Sequence, residues 1–165
     1  MMVAVLHNIR SMHNVGSLFR TADAAGIEKL CLCGITPTPV DEYGRIRPQL
    51  AKVSLGAEQH VAWERARSTA RVLDGLKKDG YRIFALEQSK KSIPYTRIKL
   101  SRKQLAKTAF VVGNEVKGLT PTVLSRADKI LEIPMRGTKE SLNVAVAFGI
   151  VVFHFAMHLS QKRLP

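Results

Sequence analysis

The longest apolar stretch of the chain, LNVAVAFGIVVFHFAMHL at 142–159, sets the strongest limit on how the chain can fold. A membrane-spanning helix needs about 20 predominantly apolar residues. This stretch is interrupted by polar residues such as Asn143, His154 and His158, and charges flank it closely on both sides. A helix that is buried on most of its faces, in a core or at a subunit contact, fits the pattern better. We therefore expect no membrane association.

Strand-length apolar segments alternate with helix-length segments along the chain. This alternation predicts an α/β fold with a mostly parallel sheet and helices on both faces. With 165 residues and 45% hydrophobic content, we expect a single domain, 1–165, with a substantial core. The predicted strands are 3–6, 29–34, 81–86, 108–113 and 129–134, and the predicted helices are 14–26, 64–80, one opened by Pro121 and one that begins at Ser141.

Positive charge is concentrated in the middle of the chain. Residues 61–107 contribute +9 of the formal net charge of +13, and residues 89–107 hold seven basic side chains and no acidic one. A field of this sign favours a polyanionic partner. A solvated surface that keeps the protein soluble is the plainer alternative, but polar and aromatic residues among the charges, such as Tyr95, favour a polynucleotide.

The two cysteines give little indication of a metal site. Cys31 and Cys33 alternate within a predicted strand, so both side chains should point to the same face and into the core. Two thiols without nearby histidines are a weak metal signal. His154 and His158 lack the adjacent glutamate of a metalloprotease helix. We expect structural cysteines, no metal and a reducing, cytoplasmic compartment.

The segment FVVGNEVKGL at 110–119 combines a strand end with a glycine loop. Its two glycines have the spacing of a phosphate-binding loop, but Leu119 stands where that loop requires lysine. The carboxylate of Glu115 would also repel a triphosphate. A strand-end loop in an open sheet is nevertheless a favourable place for a small ligand.

Two further stretches contain polar residues within helix-like patterns. In IPMRGTKESLNVAVA at 133–147, Ser141 is a natural N-cap and Asn143 falls in the first turn, so structural roles are sufficient for both. In NVGSLFRTADAAG at 14–26, Arg20 lies among apolar residues of the predicted helix. A buried guanidinium there would need an ion pair or a bound phosphate as its partner.

Together the three stretches resemble the three signature motifs of the SpoU (TrmH-like) branch of the SPOUT superfamily. NVGSLFRTADAAG resembles the first motif, VVGNEVKGL the second and EIPMRGTKESLNVAVA the third, and KVSLGAE at 52–58 is similar to a stretch found between the first two. The order and spacing of the motifs agree, and the resemblance covers nearly the whole chain. Members of this family are knotted RNA methyltransferases that use S-adenosylmethionine.

This resemblance implies a C-terminal deep trefoil knot, although knots are very rare, and a homodimer with the C-terminal helix at its contact. It also implies that the glycines of the loop after 112 let the backbone approach a methyl donor. The residues expected to bind S-adenosylmethionine are Gly113, Asn114, Gly118, Ile133, Met135 and Leu142.

The implied reaction is methyl transfer to a ribose 2′-oxygen of RNA. The residues that match the catalytic positions of the family are Asn14, Arg20, Glu115, Ser141 and Asn143. Alignment of the acceptor with the reactive donor is the main requirement of such a reaction. A guanidinium is effectively always protonated, so we expect Arg20 to stabilise negative charge rather than to act as a base.

The chain resembles the catalytic domain alone, so RNA recognition is expected from this domain and its dimer partner. The loop 35–48 is one candidate surface, and the basic segment 89–107 is the other. The residues expected to bind RNA are Lys90, Lys91, Arg97, Arg102 and Lys103. Transfer RNA is the favoured substrate and ribosomal RNA the alternative. A non-catalytic RNA-binding module of the same fold, and an NTP-binding protein, are the other readings.

Overall fold

The computed structural model describes residues 2–160 of the chain, with side chains through residue 157. Seven strands and seven helices are found in that part, together with a single 3₁₀ turn at Tyr95–Arg97. In chain order the elements are β1 Met2–His7, α1 Met12–Ala25, β2 Lys29–Cys33, α2 Pro48–Ser54, α3 Ala57–His60, β3 Ala62–Ala66, α4 Thr69–Lys78, β4 Arg82–Leu86, β5 Ile93–Pro94, α5 Arg102–Leu105, β6 Thr108–Val112, α6 Pro121–Leu124, β7 Lys129–Glu132 and α7 Val144–Ser160.

The described strands form one sheet in the order β3-β2-β1-β6-β4-β7-β5. Every neighbouring pair is parallel. β1 lies near the centre, with Leu6 opposite Leu32 of β2 and opposite Val112 of β6. The strands β1, β2 and β6 are buried almost throughout, which explains their near-continuous apolar sequences.

Helices cover both faces of this sheet. Met2, Ala4 and Leu6 of β1 belong to a core that also contains buried residues of α1, α2 and α7. Val3 and Val5 point to the opposite face and pack in a second core with residues of α4 and α6. Alternate side chains of β1 therefore point to opposite faces of the sheet and pack in different cores. This architecture confirms the predicted fold class; the predicted trefoil knot is not tested by the strand order and stays a prediction.

The first helix is set by its ends and by one apolar face. The hydroxyl of Ser11 accepts a hydrogen bond from the Asn14 backbone N–H, and Gly26 ends the helix at φ 73°. Val15, Leu18, Phe19 and Ala22 share the buried face, as their spacing predicts, and the helix packs on α2 and α7.

Arg20 lies on the other side of this helix and is exposed. The expectation of a buried guanidinium that needs a partner is therefore wrong. At 100° per residue, position 20 is turned well away from the face shared by Val15, Leu18 and Phe19.

Two element boundaries also differ from prediction. Residues 64–66 were predicted to open a helix, but they end the edge strand β3, and α4 begins only after Ser68, whose hydroxyl caps it. The sequence did not predict β3, because its side chains are mostly exposed and give no apolar pattern. Ser141 does not cap the last helix. Asn143 does so, because its side chain accepts from the Ala145 N–H and its carbonyl accepts from the Ala147 N–H.

Cys31 and Cys33 are buried on the same face of β2, as predicted, and both thiols are free. Burial raises the pKa of Cys33 to about 11. Burial, together with a hydrogen bond to Glu64, raises the pKa of Cys31 as well. The thiols therefore stay protonated and serve as apolar core groups.

We predict opposite effects for alanine at two helical glycines. A Cβ at Gly16 would lie 2.8 Å from the Leu50 carbonyl oxygen and 2.9 Å from Val53 Cβ, so α1 and α2 would have to separate. Gly16→Ala should lower the free energy of unfolding by about 1–3 kcal/mol. A Cβ at Gly75 in α4 would meet nothing within 4 Å, so Gly75→Ala should raise it by about 0.4–1 kcal/mol.

Denaturant unfolding of both variants measures these changes. Equal effects of the two substitutions would contradict the close packing of α1 on α2.

Candidate active site

A cavity of about 450 Å³ opens at the carboxyl ends of the neighbouring strands β4, β6 and β7, and the start of α7 closes one side of it. This is the edge of a parallel sheet where ligands usually bind, and the volume lies in the range of small-molecule sites. All six residues predicted to bind the methyl donor line the cavity: Gly113, Asn114, Gly118, Ile133, Met135 and Leu142. Glu115, Ser141 and Asn143 line it too.

The loop after β6 is a compact turn that closes on itself. Asn114 and Gly118 form an antiparallel bridge, and the Asn114 side-chain oxygen accepts hydrogen bonds from the N–H groups of Val116 and Lys117. A Cβ at Gly113 would lie only 2.6 Å from the carbonyl carbon of Gly118. The missing side chain of Gly113 therefore makes room for the loop itself, and close approach of the Gly113 backbone to a methyl donor stays a prediction.

Glu87, which follows β4, was not predicted as a site residue. One of its carboxylate oxygens accepts a hydrogen bond from the Leu119 N–H at 2.8 Å, and the other accepts from the Gln88 N–H at 3.0 Å. Gly118 has φ +62°, and a Cβ there would lie 2.3 Å from the same carboxylate. Glu87 thus holds the far end of the glycine loop. The only sequence signal for this role was an acidic residue directly after a buried strand.

Asn8, which follows β1, was also missed. Its backbone has φ 55°, an unusual value for a residue other than glycine. Its carbonyl accepts a hydrogen bond from the Asn114 side-chain amide at 2.8 Å, and its side-chain oxygen accepts from the Ile35 N–H at 3.1 Å. Asn8 therefore ties the glycine loop to the loop that follows β2.

The carboxylate of Glu115 joins the glycine loop to the start of α1. It accepts hydrogen bonds from the backbone N–H groups of Arg10 and Ser11, at 3.0 Å each, and from the Asn14 side-chain amide at 3.0 Å. Desolvation by itself would raise the pKa of Glu115, but these hydrogen bonds outweigh it and lower the pKa below its ordinary value. The carboxylate is therefore charged at neutral pH.

Asn14 extends this connection to α7. Its side-chain oxygen accepts a hydrogen bond from the side-chain amide of Asn143 at 3.1 Å, while its own amide donates to Glu115. Three residues that lie far apart in the sequence thus form one chain of side-chain hydrogen bonds beside the cavity: Asn143 to Asn14 to Glu115. The structure brings together three of the five predicted catalytic residues in this way.

Ser141 and Arg20 stand apart from that chain. Ser141 is exposed at the cavity wall. Arg20 does not line the cavity but a second, open depression of about 890 Å³, together with Arg10, Ser11, Met12, His13, Gln49, Lys52 and Val53. Because Arg10 and Ser11 also hold Glu115, this depression adjoins the hydrogen-bonded chain on the side of α1.

The five residues predicted to bind RNA are all exposed: Lys90, Lys91, Arg97, Arg102 and Lys103. Their segment is anchored to the cavity wall, because the Ser92 hydroxyl donates a hydrogen bond to the Glu132 carboxylate. The short strand β5, which was not predicted, pairs with β7 at the same place. The basic segment thus begins beside the cavity.

Within the part of the chain that the structure describes, no group of three or more His, Cys, Asp or Glu residues is placed to hold a metal ion. In the same part, no helix combines the length and the apolar character that crossing a membrane requires.

Comparison with known proteins gives consistent matches over nearly the whole chain. The family model of the SpoU rRNA Methylase family matches residues 1–153. A tRNA (guanosine(18)-2′-O)-methyltransferase of Aquifex aeolicus is 29% identical over 98% of this chain and 71% of its own length. Several other curated relatives are longer, and the chain spans 56–61% of them.

Two solved structures are informative as well. An AdoMet-bound rRNA methyltransferase from Sinorhizobium meliloti is similar at a TM-score of 0.83 with 28% identity, covering 96% of this chain and 56% of its own. A structure described as giving insights into the 2-OH methylation of C/U34 on tRNA has a TM-score of 0.80 with 28% identity, and the match covers 98% of both chains.

We predict that the charge of Glu115 stabilises the fold in a pH-dependent way. Its folded-state pKa is lowered, so its contribution is complete above the ordinary value of 4.5 and is lost as the pH falls through the lower folded value. Because the group is partly exposed, Glu115→Gln should lower the free energy of unfolding at neutral pH by only about 1 kcal/mol. The difference from wild type should shrink below about pH 4.5.

Denaturant unfolding between neutral and acidic pH measures this effect, with Glu42→Gln on an exposed loop as the matched control that should change nothing. A difference that stays constant down to acidic pH would show that the charge of Glu115 is not its cause.

Proposed function

The chain belongs to the SpoU rRNA Methylase family and is therefore an RNA methyltransferase; we propose that it transfers the methyl group of S-adenosylmethionine to a ribose 2′-oxygen, with tRNA as the favoured substrate. Family membership confirms the prediction made from the three sequence motifs. The observation that carries the proposal is the cavity whose wall is joined to the Asn143–Asn14–Glu115 chain.

The cavity suits the proposed methyl donor. Its wall combines apolar side chains of strand ends, such as Leu86 and Val112, with the backbone of the glycine loop and of the segment after β7. Such a mixture can bury an adenine ring and still offer hydrogen bonds to its edge. Gly113, Ile133 and Leu142 would hold the donor, which supplies an electrophilic methyl group when bound.

Glu115 is a positioning residue in this proposal. Both of its oxygens accept hydrogen bonds from Arg10, Ser11 and Asn14, so the carboxylate has little remaining capacity to take a proton from the acceptor. Its role is to fix the glycine loop against α1. Asn14 and Asn143 orient each other, and the exposed hydroxyl of Ser141 is available to a ribose or to the donor.

Arg20 would act on the acceptor side. Its exposed guanidinium lies in the depression that adjoins the Glu115 contacts, where an RNA strand can enter. It is always protonated, so it would stabilise the developing alkoxide or an adjacent phosphate. The proton of the 2′-hydroxyl would pass to water in the open depression, and the donor would leave as S-adenosylhomocysteine. Outer contacts to the RNA would come from Lys90, Lys91, Arg97, Arg102 and Lys103.

The preference for tRNA is supported by two similar proteins. One is the tRNA (guanosine(18)-2′-O)-methyltransferase of Aquifex aeolicus, and the other is the structure that concerns 2-OH methylation of C/U34 on tRNA.

The proposed homodimer is supported by α7. Val146, Ile150, Phe153 and Met157 recur at intervals of three and four residues on one face, and between 37% and 65% of each residue is exposed. A continuous apolar stripe of this kind on an otherwise buried helix favours association. The cytoplasmic location stays a prediction.

We predict that the purified protein transfers labelled methyl from S-adenosylmethionine to unmodified tRNA and not to unmodified rRNA. Arg20→Ala should reduce turnover at least about 100-fold, with little change in donor affinity, because Arg20 lies outside the cavity. Arg71→Ala on α4, on the other face of the sheet, is the matched control and should retain full turnover.

Nucleoside digestion would locate the label at the 2′-oxygen. Near-normal turnover of Arg20→Ala would remove Arg20 from the chemistry. Label in rRNA alone would show that rRNA, and not tRNA, is the substrate. Donor binding without any label would favour a non-catalytic RNA-binding module.

We predict that Phe153→Glu converts a dimer into a monomer, because a charge at the centre of the α7 stripe would be buried without a partner. Sedimentation equilibrium measures the mass of both forms. Ile35→Glu, at an apolar residue that is 64% exposed in a loop, should leave the mass unchanged. A wild-type monomer would contradict the proposed assembly.

A further inference from the structure

The loop between β2 and α2 contains an ordered hairpin, residues 39–47. Val40 and Ile46 form an antiparallel bridge, and the Arg47 N–H donates to the Pro39 carbonyl at 2.9 Å. Asp41 holds the tip from below: its carboxylate accepts hydrogen bonds from the N–H groups of Tyr43 and Arg45 and from the Arg45 guanidinium, at 2.8–2.9 Å. The tip is thus fixed without any contribution from the core.

The hairpin presents an aromatic ring to solvent. Tyr43 is 73% exposed, and the guanidinium of Arg45 lies 4.9 Å above the centre of its ring. Arg45 occupies one face, and the exposure leaves the other face open. Packing does not explain this arrangement, because Tyr43 belongs to neither core. A preorganised, half-covered ring is suited to stacking against a planar group.

The hairpin adjoins the depression that contains Arg20. Its last residue, Arg47, directly precedes α2, and Gln49 of α2 lines that depression with Lys52. Two residues of chain span at most about 7 Å, so the base of the hairpin lies at the edge of the depression. An RNA strand that places its acceptor ribose near Arg20 would pass this edge.

The charges at the tip decide which part of an RNA would be recognised. Asp41 and Glu42 directly precede Tyr43, and Arg45 is paired with Asp41, so the tip offers no free cation to a phosphate. Cations of the depression, such as Arg10 and Lys52, are suited to the backbone instead. An aromatic side chain beside a basic groove is the usual arrangement for single-stranded nucleic acid.

We propose that Tyr43 stacks on an unpaired base that flanks the acceptor nucleotide of the RNA, and that the hairpin 39–47 holds the ring in place for this contact. The proposal rests on the proposed function and deepens it by naming a second recognition element. It makes RNA binding by this chain depend on an unpaired base near the site of methylation.

The test is the affinity of Tyr43→Ala for unmodified tRNA, measured by fluorescence anisotropy over a series of salt concentrations. We expect the Kd to rise roughly 5- to 150-fold through the lost stacking contact. The salt dependence should keep its slope, because no phosphate contact is removed. Tyr43→Phe, which retains the ring, should bind like wild type, and a fully paired RNA duplex should be bound equally by all three proteins.

Tyr81→Ala is the matched control. Tyr81 also has a cation above its ring, Lys107 Nζ at 4.7 Å, but it precedes β4 at the opposite edge of the sheet. Its substitution should leave the Kd for tRNA unchanged, with thermal melting to show that the variant is folded.

An unchanged Kd of Tyr43→Ala would overturn the proposal, and so would an equal loss in Tyr43→Phe or with the duplex. The binding assay is independent of turnover, so the two proposals can fail separately. A wild-type protein that binds tRNA without methylating either RNA would contradict the proposed function alone. Methylation with an unaffected Tyr43→Ala would contradict only the stacking.

Discussion

The hydrogen bonds from the backbone of Arg10 and Ser11 to the Glu115 carboxylate are the contact on which the rest of the site depends. They connect the loop after β6 to the start of α1, two segments that lie far apart in the sequence. A charged acceptor forms a stronger hydrogen bond with a backbone N–H group than a neutral acceptor does. Asn14 and Asn143 then extend the contact to α7, so that the cavity wall and the three motifs share one set of bonds.

The parallel sheet makes this contact possible. β1, β6, β4 and β7 all end at the same edge, and each is followed by a loop that carries polar residues: Asn8, Asn114, Glu87, and after β7 Ser141 and Asn143. The apolar side chains of these strands pack in the two cores, so the residues that can bind a ligand or catalyse a reaction lie in the loops. Asn8 accepts a hydrogen bond from the Asn114 side chain at the start of the glycine loop, and Glu87 accepts one from the Leu119 N–H at its end.

The sequence predicted those elements of the fold that are determined by residues close together in the chain. Buried strands such as β1 and β6 have continuous apolar residues, and Gly26 marks the end of α1. The start of α1 was predicted at residue 14, but Ser11 caps the helix and it begins at Met12. Prediction failed for two kinds of reason. β3 forms because β2 offers it an edge, which is a tertiary cause. The Asn143 cap of α7 and the exposure of Arg20 by the phase of its helix have local causes that the sequence analysis misjudged. Glu87 and Asn8 are recognisable only once the glycine loop lies beside them.

The central position of β1 has a consequence for biosynthesis. One edge of β1 can pair with β2 soon after both have been made, but its other edge is satisfied only by β6, and the Asn8–Asn114 bond that follows spans 106 residues. Contacts of such long range form slowly. A nascent chain at the ribosome would therefore expose a long, apolar strand edge until β6 emerges, which is the situation in which chains aggregate or engage chaperones.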